Sequence, residues 1–193
     1  MNTSQAVSPS RTGTVNGRKI CVYDDLVPKE FIDQIFDAIS TGRFTRSEIA
    51  RPDTAEYKHW ALELDPKAMM QSPLHAPTLH ATQPFERPGE KYRIYRAYCN
   101  HAAYGDMLFT HTDCLPEAHD TTALWYICKQ WDPEWGGETV FFNEEKDAEF
   151  ICSPRPGRLV VFDGRIPHCG RPPSRICYQP RLTLAFKLEP VAG

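Results

Sequence analysis

From Leu26 to Ser40 the chain reads LVPKEFIDQIFDAIS, and its bulky apolar residues return every three or four positions. Phe31, Ile32, Ile35, Phe36 and Ile39 form one stripe on a 3.6-residue period. That spacing predicts an amphipathic helix over about 28–40, ended by Gly42 and suited to covering the flank of a sheet. Pro28 fits its first turn, where a missing N–H costs nothing. From Lys91 the period shortens to two. KYRIYRAY, TTALWYICKQW, GGETVFF, EFICSP, GRLVVFDG and RLTLAFKL are short runs rich in aromatic and β-branched residues, separated by Gly, Pro and Asp. A short strand at Arg18–Tyr23 precedes the helix. Six or more strands without long intervening helices predict an α+β chain whose body is antiparallel β, a sandwich or a rolled barrel.

Two stretches carry little pattern. Residues 1–17 contain almost no bulky apolar side chains and are expected to be a flexible tail. One domain should then span 18–193, with its β core over about 91–188. Residues 43–90 mix charge, Pro and His and read as irregular loops, a lid or one wall of a pocket.

Composition narrows the function classes. The 193 residues carry 22 basic and 25 acidic side chains, a net charge of −3, with no basic surplus or charge block to suggest a nucleic-acid partner. No apolar run is long enough for a membrane span. Seven cysteines without CxxC pairing read as reduced thiols of a cytoplasmic protein.

The segment FTHTDC, residues 109–114, places His111 and Asp113 on one side of an extended chain. A lone His-x-Asp is more often a polar turn than a metal site. His168, 57 residues on in GRIPHCGRP, changes the balance. Two imidazoles and one carboxylate form the open ligand set of non-haem Fe(II) oxygenases, whereas structural zinc takes four closed ligands. His75 and His80 lack a carboxylate at ligand spacing. Arg181, in RLTLAF, should face the same interior as Thr183. A guanidinium there needs an anion, either a cosubstrate carboxylate or an acidic side chain of the protein.

The run YRAYCNHAAYGDMLFTHTD, then WYICKQWDPEWGGETVFF, PRPGRLVVFDGRIPHCGRPP and RLTLAFKL resembles the 2-oxoglutarate/Fe(II) oxygenase superfamily, prolyl 4-hydroxylase branch. The resemblance implies a double-stranded β-helix, a jelly-roll barrel with N-terminal helices packed outside. It implies His111, Asp113 and His168 as ligands of Fe(II), with 2-oxoglutarate and O₂ as cosubstrates. Arg181 and Thr183 would hold the distal carboxylate, where many prolyl 4-hydroxylases have Lys. Tyr98 and Tyr126 fall where the oxygen-sensing hydroxylases place cosubstrate-binding tyrosines. Asp113 favours hydroxylation over halogenation, because halogenases of this superfamily have a small residue there. The implied reaction oxidises an unactivated C–H bond and releases succinate and CO₂. The expected substrate is a small molecule or an amino-acid-type compound. The alternatives are a peptidyl prolyl hydroxylase and a cupin-like metal-binding module without oxygenase activity. Arg96 should share a strand face with Ile94 and Tyr98 and is a candidate grip for an acidic group of the substrate.

Overall fold

Residues 7–193 are described by a computed structural model. Eleven strands and three α-helices follow one another among these residues: β1 (Arg11–Val15), β2 (Arg18–Tyr23), α1 (Lys29–Ser40), β3 (Thr45–Glu48), β4 (His59–Leu64), α2 (Pro66–Met69), α3 (His75–Thr82), β5 (Glu90–Ala102), β6 (Thr121–Ile127), β7 (Thr139–Phe142), β8 (Ala148–Cys152), β9 (Leu159–Asp163), β10 (His168–Gly170) and β11 (Arg181–Ala192). An eight-stranded sheet has the order β1-β2-β9-β6-β11-β5-β4-β3, and a three-stranded sheet the order β10-β7-β8. Every pairing is antiparallel. This is the double-stranded β-helix arrangement, but the two sheets do not close into a barrel.

The middle strands of the large sheet, β6, β9 and the first part of β11, are buried on both faces and so read as continuous apolar runs. Along β9, Leu159 and Val161 join one cluster with Trp125, Phe186 and Ile32 of α1, while Val160 and Phe162 join a second with Phe141, Tyr126 and Leu124. The first cluster lies under the helices; the second fills the space between the sheets. Of the helical stripe, Ile32 and Ile39 are buried and Ile35 and Phe36 partly so, whereas Phe31 is exposed.

The expected tail over 1–17 falls partly outside the described residues, at 1–6. Within it, β1 is a strand, not a tail. Asn16 and Gly17 both take positive φ, 51° and 72°, as a two-residue hairpin turn into β2 requires. Gly13 lies flat against the Phe150 ring, where an added Cβ would sit 2.5 Å from ring carbons, and the Arg11 guanidinium covers the same ring.

Residues 43–90 are also more regular than expected, since they contain β3, β4 and α3. In β4 the odd positions His59, Ala61 and Glu63 alternate with Leu62 and Leu64, which pack on the helix-side core. Along the strand only His59 and Ala61 are buried, while Trp60 and Glu63 are exposed, so no clean apolar alternation shows.

Candidate active site

His111 and His168 meet by backbone pairing. The His111 N–H donates to the His168 carbonyl at 3.0 Å and the His168 N–H donates back at 2.9 Å, a closely bonded antiparallel pair. Directly opposed residues share a face, and the two rings lie 4.6 Å apart. Two residues on, the Asp113 N–H donates to the Gly164 carbonyl at 2.7 Å, which keeps the segment extended and returns Asp113 to the side of His111.

Each imidazole is tied through Nδ1 to a carbonyl two residues earlier, His111 to Phe109 at 3.0 Å and His168 to Ile166 at 2.8 Å. A carbonyl only accepts, so Nδ1 carries the proton and each Nε2 presents a lone pair. These lone pairs converge on one carboxylate. His111 Nε2 lies 3.4 Å from Asp113 Oδ1, and His168 Nε2 lies 3.6 Å from Asp113 Oδ2. An ion bonded at ~2.1 Å to adjacent donors holds them about 3 Å apart. The three ligand atoms lie within 4.8 Å of one another, a spacing that could hold a metal ion, and this is the one such cluster among the described residues. His75 and His80 lie on α3, outside this cavity.

Burial works against charge here. It lowers His168 to about 4, so that its ring is neutral, with Phe162 and Phe141 packed on it. Burial alone would raise Asp113, but Lys187, then His168 and His111, outweigh it and hold the carboxyl well below its usual range.

The odd-numbered residues of β11 form a stripe along the same cavity: Arg181, Thr183, Ala185 and Lys187. Arg181 is buried, at 3% exposure. Its Nε donates to the Gly137 carbonyl at 2.5 Å, Nη2 to Thr139 Oγ1 at 2.9 Å, and Nη1 approaches Thr183 Oγ1 at 3.4 Å. A guanidinium has five N–H donors. Two remain, and no carboxylate of the described residues pairs with it. Gly137, at φ 82°, brings its backbone close enough to steer Nε, so the Gly-Gly pair orients Arg181 as well as making a turn. Gly170 leaves room for the fork: a Cβ there would fall 3.0 Å from Nη1. Gly170→Ala is expected to weaken 2-oxoglutarate binding about tenfold by shifting that fork. Metal affinity should be unchanged, which titration calorimetry of both ligands would check.

Tyr98 lines the cavity wall. Tyr126 does not line it. Its hydroxyl sits 2.8 Å from the Cys152 carbonyl and 2.7 Å from Thr139 Oγ1. The carbonyl must take the phenol proton, so Tyr126 steadies Thr139, which in turn meets Arg181. Arg96 departs further from expectation. An extra residue on β5 opposite Lys187/Leu188 sends Ile94 to the helix side while Arg96 and Tyr98 face the site. Arg96 is not a free cation: Glu48 binds it at 2.7 and 3.3 Å, Glu63 also contacts it, and the Tyr98 ring lies 4.1 Å beneath. Asp163 and Arg165, in the turn before His168, form a local ion pair.

Sequence reasoning missed Lys187, Thr122 and His59. Lys187 Nζ contacts Asp113 Oδ2 and lies 3.1 Å from Thr122 Oγ1, which is itself 2.5 Å from that oxygen. Extending the Arg181–Thr183 alternation two more steps reaches Lys187, so the signal was present. His59 and Asn100 line the cavity from β4 and β5, and a neighbouring hollow above Asp113 adds Glu48, Tyr95 and Arg96.

An open ligand triad in a double-stranded β-helix defines a class of metal-dependent enzymes, and comparison with known proteins points to a family. The 2OG-Fe(II) oxygenase superfamily model matches residues 95–186, the stretch that holds the triad, Tyr98, Arg181 and Thr183. This match and the ligand triad support an Fe(II)- and 2-oxoglutarate-dependent dioxygenase. Similar solved structures share the fold. A prolyl-4-hydroxylase from Pseudomonas putida is 17% identical with a TM-score of 0.63, over 88% of this chain and 91% of that one. A Trichoplax adhaerens prolyl hydroxylase, solved with a hypoxia inducible factor peptide, is 14% identical (TM-score 0.61, 88% and 83% covered). HygX from Streptomyces hygroscopicus, solved with nickel and 2-oxoglutarate, is 14% identical (TM-score 0.61, 88% and 82% covered). No curated protein matches by sequence. Among the described residues no helix is long and apolar enough to cross a membrane.

Proposed function

We propose that this dioxygenase hydroxylates a small-molecule or amino-acid-type substrate in one domain that includes β1. His111 and His168 hold the iron through Nε2 and Asp113 through a carboxylate oxygen. Arg181, with Thr183, takes the distal carboxylate of 2-oxoglutarate. The observation that carries this reading is a buried guanidinium with two spare donors and no anion, in the cavity of the triad. A cupin-like binding module has no use for such a group. When bound, the iron activates O₂ so that decarboxylation of the cosubstrate drives oxidation of a C–H bond. The chain's own residues do the positioning. The Phe109 and Ile166 carbonyls fix the imidazole tautomers, Thr139 and the Gly137 carbonyl aim Arg181, and Phe162, Leu124 and Ala185 keep the wall dry.

The hollow above the triad supports a polar substrate. His59 is buried, its charge disfavoured first by burial, and no hydrogen bond to its ring occurs among the described residues. It therefore offers a neutral donor and acceptor beside Asn100, Tyr95 and the Glu48–Arg96 pair. A segment joining β3 to β4 is pinned over this region, since Arg51 grips the Thr110 carbonyl and Tyr57 packs on Phe109 at 5.3 Å. A second reading, peptidyl prolyl hydroxylation, draws on the prolyl hydroxylases among the fold neighbours. Following succinate release with free amino acids and with prolyl peptides separates the two: preferential turnover of peptides selects the second.

A further inference from the structure

Lys187 is a buried ammonium that neither iron nor cosubstrate binding has yet used. Its one carboxylate partner is Asp113. The residue paired with it across the strands, Arg96, is committed to Glu48 and Glu63, and the Tyr98 ring centre lies 5.8 Å away. Thr122 bonds the same carboxylate oxygen that Lys187 touches. Oδ2 is thus held by a cation and a hydroxyl, while Oδ1 faces His111 Nε2. A carboxylate so held has one oxygen to give a metal ion, and a chelating two-oxygen mode is blocked.

We propose that Lys187 is a positioning residue that confines Asp113 to one-oxygen ligation and keeps the centre's grip on its divalent ion weak. This rests on the reading of His111, Asp113 and His168 as the metal centre. Two consequences follow from its charge and place. Occupying Oδ2 leaves one more coordination position open for cosubstrate or O₂. A fixed positive charge beside the carboxylate also opposes a dication bound to it. The sign of the effect sets this apart from ordinary structural support. A lysine that merely held Asp113 in place would, on removal, weaken metal binding; one that caps and counters it would, on removal, tighten it.

The test is titration of metal-free full-length protein with Mn(II), a redox-silent probe, by calorimetry. Lys187→Met should bind Mn(II) at least about tenfold more tightly than the native chain. Lys187→Arg, which keeps the charge, should stay within about threefold of native. Thr122→Val, which removes only the neutral donor, should change affinity less than Lys187→Met does. Unchanged or weaker Mn(II) binding by a folded Lys187→Met protein overturns the proposal. If that variant is not recovered folded, Lys187→Gln decides by the same criterion. Failure of the native chain to bind Mn(II) at all would instead remove the metal centre itself, so the two failures are distinct.

Discussion

His111→Ala is expected to cost at least about a hundredfold in Fe(II) affinity and to abolish succinate formation, with the metal-free fold intact. Losing a group that only orients a ligand already costs about 10- to 100-fold, and losing the ligand itself costs more. His111 is the best of the three to remove. Its side chain is 25% exposed, against 5% for Asp113 and 8% for His168. Asp113→Ala would strand the Lys187 ammonium without its carboxylate, a change worth about 3–5 kcal/mol against the fold, so lost activity there would be ambiguous. His168→Ala would open a hole between Phe141 and Phe162. For His111→Ala the packing loss should stay near 1 kcal/mol, within the range of partly exposed substitutions. Calorimetric Fe(II) titration under anaerobic conditions, beside a thermal melt of the metal-free protein, reads both quantities. Full iron affinity in a folded His111→Ala protein would remove the triad from the site.

What could be read in the sequence followed from how strictly a face of each element is apolar. The α1 stripe and the runs in β6, β9 and β11 are legible because they bury into one or both cores. The triad was legible through chemistry and spacing, since two histidines and an aspartate near Gly- and Pro-bounded strand ends narrow the alternatives. β4 was not, because its two buried residues are His59, which lines the site, and the small Ala61, while Trp60 and Glu63 are exposed. β3 is an exposed edge strand, TRSE, with no apolar residue at all. α3 hides its packing in threonines: Thr78 is fully buried, bonds the Leu74 carbonyl at 2.6 Å and accepts from Trp125 Nε1 at 2.9 Å. β1 carried a readable hairpin sign in Asn16-Gly17, but its polar flanks masked it. The β5 bulge had no sequence sign, and it decides which way Ile94 and Arg96 point. Elements that build the site break the local pattern because their inward side is polar.

Arg181→Met is expected to leave Fe(II) affinity within about threefold of native while 2-oxoglutarate binding weakens tenfold to a hundredfold. Charged hydrogen bonds are worth roughly 1.5–3 kcal/mol, and that range sets the fold-change. Methionine keeps an apolar stem of similar reach, so the loss reports the guanidinium and not a cavity. Stability gives an independent reading. If Arg181 were half of a buried ion pair, removing it would orphan a carboxylate and cost about 3–5 kcal/mol. No carboxylate meets it here. Its partners are the Gly137 carbonyl and the hydroxyls of Thr139 and Thr183, and Thr139 keeps the Tyr126 hydroxyl as a partner. The expected change is therefore less than about 2 kcal/mol, chiefly the Gly137 carbonyl left without its donor. A cosubstrate defect much larger than the stability defect is what an anchor waiting for a diacid produces. Native-level succinate formation by Arg181→Met, or collapse of its fold with cosubstrate binding spared, would take the anchor away from Arg181.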